Sequence, residues 1–209
     1  ENGVPDLESP ECMDLERLSS DLKRLAAGEE VSVPRFDFET RTSIPHDRTL
    51  QLGKDEVIMI EGIHSFNPVI MGDLAHRATS IYLSVASALV PEKGARLEPY
   101  MLRFLRRAMR DSLFRSSPVE ATLRQWNSVR RGERLYISPY RGQADIAIDT
   151  FLPYEVNILM ERLTPVLREC RDALKDAGLA PVSDILGTIS PITYEGRIPE
   201  DSVLHEFIG

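Results

Sequence analysis

Cysteine is nearly absent from this sequence. Cys12 and Cys170 are the two in 209 residues, far apart and without metal-ligand spacing. That excludes a disulfide-stapled scaffold and a cysteine metal site, and both thiols are expected to be reduced, as in the cytoplasm. Long apolar runs are missing as well. The longest candidates, Val57–Ile60 and Ile81–Val90, fall short of the roughly 20 residues that a membrane-spanning helix needs, so no membrane partner is expected. The first residues are acidic and polar and show no leader pattern. His46, His76 and His205 show no metal spacing. One further absence bears on chemistry. No G-x-x-x-x-G-K-[ST] occurs, the loop that wraps nucleotide phosphates with backbone N–H groups and supplies a lysine and a Mg²⁺-binding hydroxyl.

Arginine, by contrast, is concentrated. Between Arg103 and Arg134 lie nine arginines and three acids (Asp111, Glu120 and Glu133), a segment of +6 in a chain of net charge −8. Such a segment suggests a site for something anionic, with phosphate the commonest ligand. The acidity of the rest argues against broad nucleic-acid binding.

Local patterning places these residues on an α/β fold. Leu15, Leu18, Leu22 and Leu25 mark one face of a helix that Gly28 stops. Val31–Phe38 reads as a strand or hairpin arm interrupted by Pro34, and residues 40–53 as its return arm or a loop. Val57–Ile60 is a continuous apolar run ending on Glu61 and Gly62, the pattern of a central parallel strand buried on both faces. Ile81–Val85 and Ala144–Ile148 read as two more. Glu98–Arg115 reads as a basic helix with Leu102, Leu105, Met109 and Leu113 on its apolar face. Ser117-Pro118-Val119-Glu120 is a capping box opening the next helix. Residues 153–175 read as a long helix that Pro165 kinks. Strands alternating with helices predict a parallel sheet with flanking helices.

Four blocks resemble the uridine kinase and phosphoribulokinase group of P-loop kinases. They are P-R-F-D-F-E-T-R from Pro34, V-I-M-I-E-G-I-H from Val57, R-F-L-R-R-A-M-R-D from Arg103 and W-N-S-V-R-R-G-E from Trp126. The tail I-P-E-D-S-V-L-H-E-F-I-G is similar to that of long bacterial nucleoside kinases with a TGS and threonyl-tRNA-synthetase-like N-terminal region. The resemblance implies a P-loop kinase-like parallel sheet over the C-terminal two-thirds of a kinase domain. Residues 30–53 would form a nucleoside-site hairpin, 98–134 an arginine-rich lid region and 181–209 a C-terminal tail. In the family order 2-3-1-4-5, strands 3, 4 and 5 would fall at about residues 57–61, 80–85 and 145–149. Strands 1 and 2 and the acceptor-side base would lie upstream. Either strand 3 then closes onto strand 4, or another segment fills the gap, or the molecule has further residues.

The same resemblance implies roles. Glu61 is the Mg²⁺-associated acid, acting through water. Arg103, Arg106 and Arg110 are the catalytic arginines of the lid, with Arg107 and Arg115 as further ATP contacts. Phe36, Asp37, Phe38, Arg41 and His64 line the nucleoside site. Competing readings are a salt bridge for Glu61, a solvated basic face for the arginines, hairpin packing for the phenylalanines and a structural role for His64. This chain departs from the family at Met101 and Leu102, where an acid and a threonine are usual, and at Ser116, where a glycine commonly follows the last arginine. Phe36 stands where uridine kinases commonly have tyrosine, and Arg41 near a base-contacting histidine. Because hydrogen-bonding sites discriminate strongly, uridine specificity is open on these residues.

The expected activity is ATP- and Mg²⁺-dependent phosphorylation of a uridine- or cytidine-like 5′-hydroxyl by the intact protein, with this chain inactive alone. The alternatives are a non-catalytic module that binds RNA or a phosphorylated ligand through its arginines, and a kinase for another small hydroxyl acceptor. Related kinases form dimers or tetramers, so the resemblance also admits a homo-oligomer.

Overall fold

A computed structural model describes residues 8–37, 40, 42–193 and 197–209. The chain divides into two compact units, Glu1–Ile81 with Arg131–Ile146 and Tyr82–Arg130 with Ala147–Gly209.

In the first unit, helix α1 (Leu15–Ala26) starts where the Asp14 carboxylate accepts from the Arg17 N–H at 3.0 Å. Leu22 and Leu25 are its buried face. Gly28, with φ of +81°, turns the chain out of the helix, a conformation that costs glycine little. Strand β1 (Val31–Asp37) then pairs antiparallel with β2 (Thr42–Leu50), with a register shift between Val33 and Arg35. Pro34 lies in that shift, since proline has no N–H to give a ladder. Arg17 donates to the Ser32 carbonyl at 3.0 Å and Arg24 to the Glu30 carbonyl at 2.7 Å, fastening the hairpin to α1. Helix α2 (Pro68–Met71) packs on α1 and buries Ile70.

Residues 57–60 overturn the expectation of a central buried strand. They form no strand, and Val57 and Met59 are 90% and 91% exposed. The physical reason is pairing. A parallel strand is stable only between neighbours that take its N–H and C=O groups, and no strand among the described residues lies beside it.

The other two expected strands do pair. Strands β3 (Ile81–Ser84) and β4 (Ile146–Asp149) run parallel, with the Ile146 N–H on Ser80 O at 3.1 Å and the Thr150 N–H on Ser84 O at 2.9 Å. Two aspartates pin their ends. The Ser80 N–H and hydroxyl donate to Asp145 at 2.8 and 2.7 Å, and the Ala86 N–H to Asp149 at 2.9 Å. These bonds hold both carboxyls below the usual range.

The second unit is mainly helical: α3 (Pro99–Phe114), α4 (Val119–Gly132), α5 (Glu155–Glu169), α6 (Arg171–Asp176), α7 (Ala180–Asp184) and α8 (His205–Ile208). Its core joins Leu102, Leu105 and Met109 of α3, Leu159, Leu163 and Leu167 of α5, and Trp126, whose ring meets Phe104 edge-on at 5.3 Å. Leu113, expected on the apolar face of α3, is 39% exposed; Phe104 and Ala108 are buried on it instead. The expected long helix divides at Cys170 into α5 and α6, and Pro165 sits inside α5. Cys170 is buried, and burial and the Glu120 carboxylate push its thiol up.

Two backbone positions show what the local sequence must provide. At Gly132 a Cβ would fall 2.3 Å from Glu8 Cβ, so the helix end has no room for a side chain there. At Ser116, the turn after α3 takes φ of 49°, a region that costs an L-residue about 1–2 kcal/mol. Ser116→Gly is therefore expected to raise stability, by about 0.5–1 kcal/mol after the extra chain entropy of glycine. An unchanged or lower denaturation midpoint would contradict this. No helix among the described residues is long and apolar enough to cross a membrane.

Candidate functional site

The basic helix forms where the sequence places it. Pro99 stands in its first turn, and Arg115 ends it by donating its N–H to Asp111 O at 3.2 Å. Arg103, Arg107 and Arg110 follow one another at steps of four and three and so share a face. Asp111 is buried in front of the later ones. Its Oδ1 accepts from Nε and Nη2 of Arg110 at 3.2 and 3.1 Å and lies 3.5 Å from Arg115 Nη1; Oδ2 lies 3.4 Å from Arg107 Nε.

Three guanidiniums thus share one buried carboxylate, with Glu206 also acting on Arg115. The crowding has an electrostatic signature. The charged form of Arg115 is disfavoured first by burial and then by Arg110, and Asp111 only partly offsets this. An anion placed near such a cluster relieves the mutual repulsion, and guanidinium forks match the oxygens of phosphate.

Arg106 departs from its expected place in the phosphate-facing set. Its Nε donates to Glu155 Oε2 at 2.5 Å, Nη1 to Thr150 Oγ1 at 3.1 Å and Nη2 to the Thr150 carbonyl at 2.6 Å. Its guanidinium lies 5.1 Å over the Phe207 ring. Glu155 is fully buried. All three nitrogens of Arg106 are therefore spent within the fold, and the side chain ties α3 to α5 and α8. Arg107, given the lesser role on the sequence, is the residue that stands with Arg110 and Arg115. The spacing of Arg107, Asp111 and Arg115 at successive steps of four was the available signal. Glu155 gave none, being 49 positions from Arg106. Farther along the basic segment, Arg130 stacks on Tyr100 at 3.8 Å.

The remaining expected site residues lie in the first unit. Phe36 is half exposed near the end of β1. Asp37 accepts the Thr40 N–H at 3.0 Å, closing the hairpin tip. Phe38 and Arg41 lie outside the described residues. Glu61 is exposed on the unpaired segment, so the argument that it ends a buried strand does not hold. His64 is turned inward, 7% exposed, with its ring 6.4 Å from Tyr136 and Nδ1 unpartnered. Burial pushes its imidazole down, against an opposing hydrogen bond to Glu8. Among the described residues no group of three or more His, Cys, Asp or Glu is placed to hold a metal ion.

An α/β chain that presents clustered arginines on a helix beside a parallel strand pair fits a phosphate-handling protein. Residues 2–90 match the model of the Phosphoribulokinase / Uridine kinase family. A uridine kinase of Chloroflexus aurantiacus is 28% identical over 138 residues, 66% of this chain and 58% of that protein. A uridine kinase of Staphylococcus aureus is 29% identical over 140 residues, 66% of this chain and 59% of that protein. The matches thus span about three-fifths of the length of these curated relatives. The chain is similar to members of the phosphoribulokinase / uridine kinase family over these stretches. The arginine helix itself lies beyond the residues that the family model covers.

Proposed function

We propose that this chain is the acceptor- and lid-bearing part of an ATP-dependent kinase for the 5′-hydroxyl of a uridine- or cytidine-like nucleoside. The observation that carries the reading is the cluster of Arg107, Arg110 and Arg115 around Asp111, taken with the similarity to uridine kinases. In such a reaction the nucleoside 5′-hydroxyl gives its proton to an acceptor-side base as its oxygen forms a bond to the γ-phosphorus, the bond from that phosphorus to the bridging oxygen breaks, and ADP leaves. Catalysis is mostly positioning and neutralisation of spreading charge. Arg107 and Arg110, with Arg103 one turn earlier and Arg115 at the helix end, supply cationic donors for that charge. Phe36 and Asp37 on the hairpin, with Phe38 and Arg41, are the residues we assign to the nucleoside. Magnesium is commonly held by one or two carboxylates together with waters and substrate phosphates. Glu61, exposed on its segment, would be the protein's carboxylate at such a site.

A phosphate cradle and an acceptor-side base are not among these residues. Leu83 is 63% exposed, and Ile81, Ile146 and Ile148 are each nearly half exposed. Sheets of parallel strands are ordinarily covered on both faces. We therefore assign residues 57–60 and the β3–β4 pair to contacts with the cradle-bearing part of the kinase. The chain alone is expected to show no turnover of uridine with Mg-ATP, while the intact protein turns over. Val57→Ser with Met59→Ser is expected to change the stability of the chain alone by less than about 0.5 kcal/mol, yet to reduce turnover by the intact kinase severalfold. Turnover by the chain alone, or full activity of the intact double variant, would refute this assignment. Phosphorylation of a non-nucleoside alcohol, with nucleosides inert, would leave a kinase but replace its acceptor.

A further inference from the structure

Asp111 is the one acid on the arginine helix. It stands one turn after Arg107 and one turn before Arg115. Its side chain is 9% exposed, whereas those of Arg107, Arg110 and Arg115 are 25%, 24% and 43% exposed. The carboxylate therefore lies on the inner side of the group, and the guanidiniums reach towards solvent. Arg110 is gripped along its Nε–Nη2 edge by Oδ1, and its Nη1 stands outside those bonds. Arg107 is met at Nε by Oδ2, and Arg115 at Nη1 by Oδ1.

The main chain of the same residue closes the helix. Its carbonyl accepts from the Arg115 N–H at 3.2 Å and from the Ser117 N–H at 3.0 Å. The chain between them turns through Ser116 at φ of 49°. These bonds hold Arg115, which lies just past the helix, close to the carboxylate. Asp111 thus fixes Arg115 at both its backbone and its guanidinium. Glu206 also acts on Arg115, from α8, but Asp111 is the acid that meets all three arginines.

Arginine is rich in rotamers, and each such side chain that a ligand must order weakens binding. A ligand that meets three guanidiniums already ordered avoids that loss. A carboxylate behind them provides the order, although its own charge repels an incoming anion. The two effects have opposite signs. We infer that Asp111 is a positioning residue, holding Arg107, Arg110 and Arg115 by their inner edges so that a polyphosphate chain meets a preformed set of donors. This role rests on the phosphate-binding part of the function proposed above. It requires neither a particular acceptor nor the transfer step.

The test is calorimetric titration of the full chain with inorganic tripolyphosphate, together with NMR of the arginine Nε–Hε groups. Asp111→Asn keeps the size of the side chain and one acceptor oxygen but removes the charge. A residue that contributed charge alone would, once neutralised, let the variant bind tripolyphosphate more tightly. Positioning predicts the reverse, binding about tenfold weaker. In the unaltered chain without ligand, the Nε–Hε signals of Arg107 and Arg110 should be set apart from those of exposed arginines and should exchange slowly with water. In Asp111→Asn they should join the exposed set. Should the variant lose its circular dichroism, the unaltered chain decides: averaged Nε–Hε signals overturn the role and separate ones support it. Equal or tighter binding by a folded Asp111→Asn would remove the role and leave the phosphate site standing. Absence of tripolyphosphate binding by the unaltered chain would remove the phosphate reading itself, and the role with it.

Discussion

Glu155→Ala is expected to destabilise the second unit by about 3–5 kcal/mol, because it leaves the Arg106 guanidinium buried without its counter-charge. The carboxylate is fully buried, and the Arg106 side chain is 8% exposed. The Thr150 hydroxyl and carbonyl remain as acceptors after the substitution, but neither carries charge. Arg106→Ala should cost a comparable amount, for the converse reason that a carboxylate is stranded. Changing both to apolar residues of similar volume should recover much of the loss, since a buried pair returns little more than its desolvation cost. Chemical denaturation of the three variants checks this. Additive losses in the double variant would mean that the two side chains do not act as a pair.

The second large effect concerns turnover. On the kinase reading proposed above, Arg110→Ala in the intact protein is expected to lower kcat/KM by about 10²–10³-fold, the usual cost of removing one preorganised donor to developing charge. Arg107 and Arg115 remain beside Asp111 in that variant, so its unfolding free energy should change by less than about 1 kcal/mol. Arg110→Lys should fall between, because an ammonium keeps the charge and loses the planar fork. Wild-type turnover by Arg110→Ala would remove α3 from the phosphate site. The two positions together form a contrast. Arg106 variants should fail by unfolding and Arg110 variants by chemistry, although the residues lie one turn apart on one helix.

That contrast marks how far the sequence could be read. The basic helix was expected over residues 98–115 and spans Pro99–Phe114, because its apolar repeat and its proline are local signals. The parallel pairing of residues near 81–84 and 146–149 was likewise visible as short apolar runs. Val57–Ile60 has the same composition and forms no strand. Composition gives a run its capacity to be a strand, but pairing partners decide whether it becomes one. The division of labour among the arginines was illegible for a similar reason. Arg106 is set apart by Glu155, Thr150 and Phe207, all distant in sequence, whereas the Arg107–Asp111–Arg115 spacing was readable on the helix itself. The inward turn of His64 also depends on contacts made by Glu8 and Tyr136.

Trp126 gives these experiments an optical handle. It is the sole tryptophan of the sequence, it is buried, and it belongs to the second unit. Emission excited at the indole band therefore reports the melting of that unit alone, while far-ultraviolet circular dichroism sums the helices of both. Coincident curves would describe one cooperative transition. A dichroism change that precedes the shift in emission would be the independent loss of α1 and the hairpin, resolved without any added label.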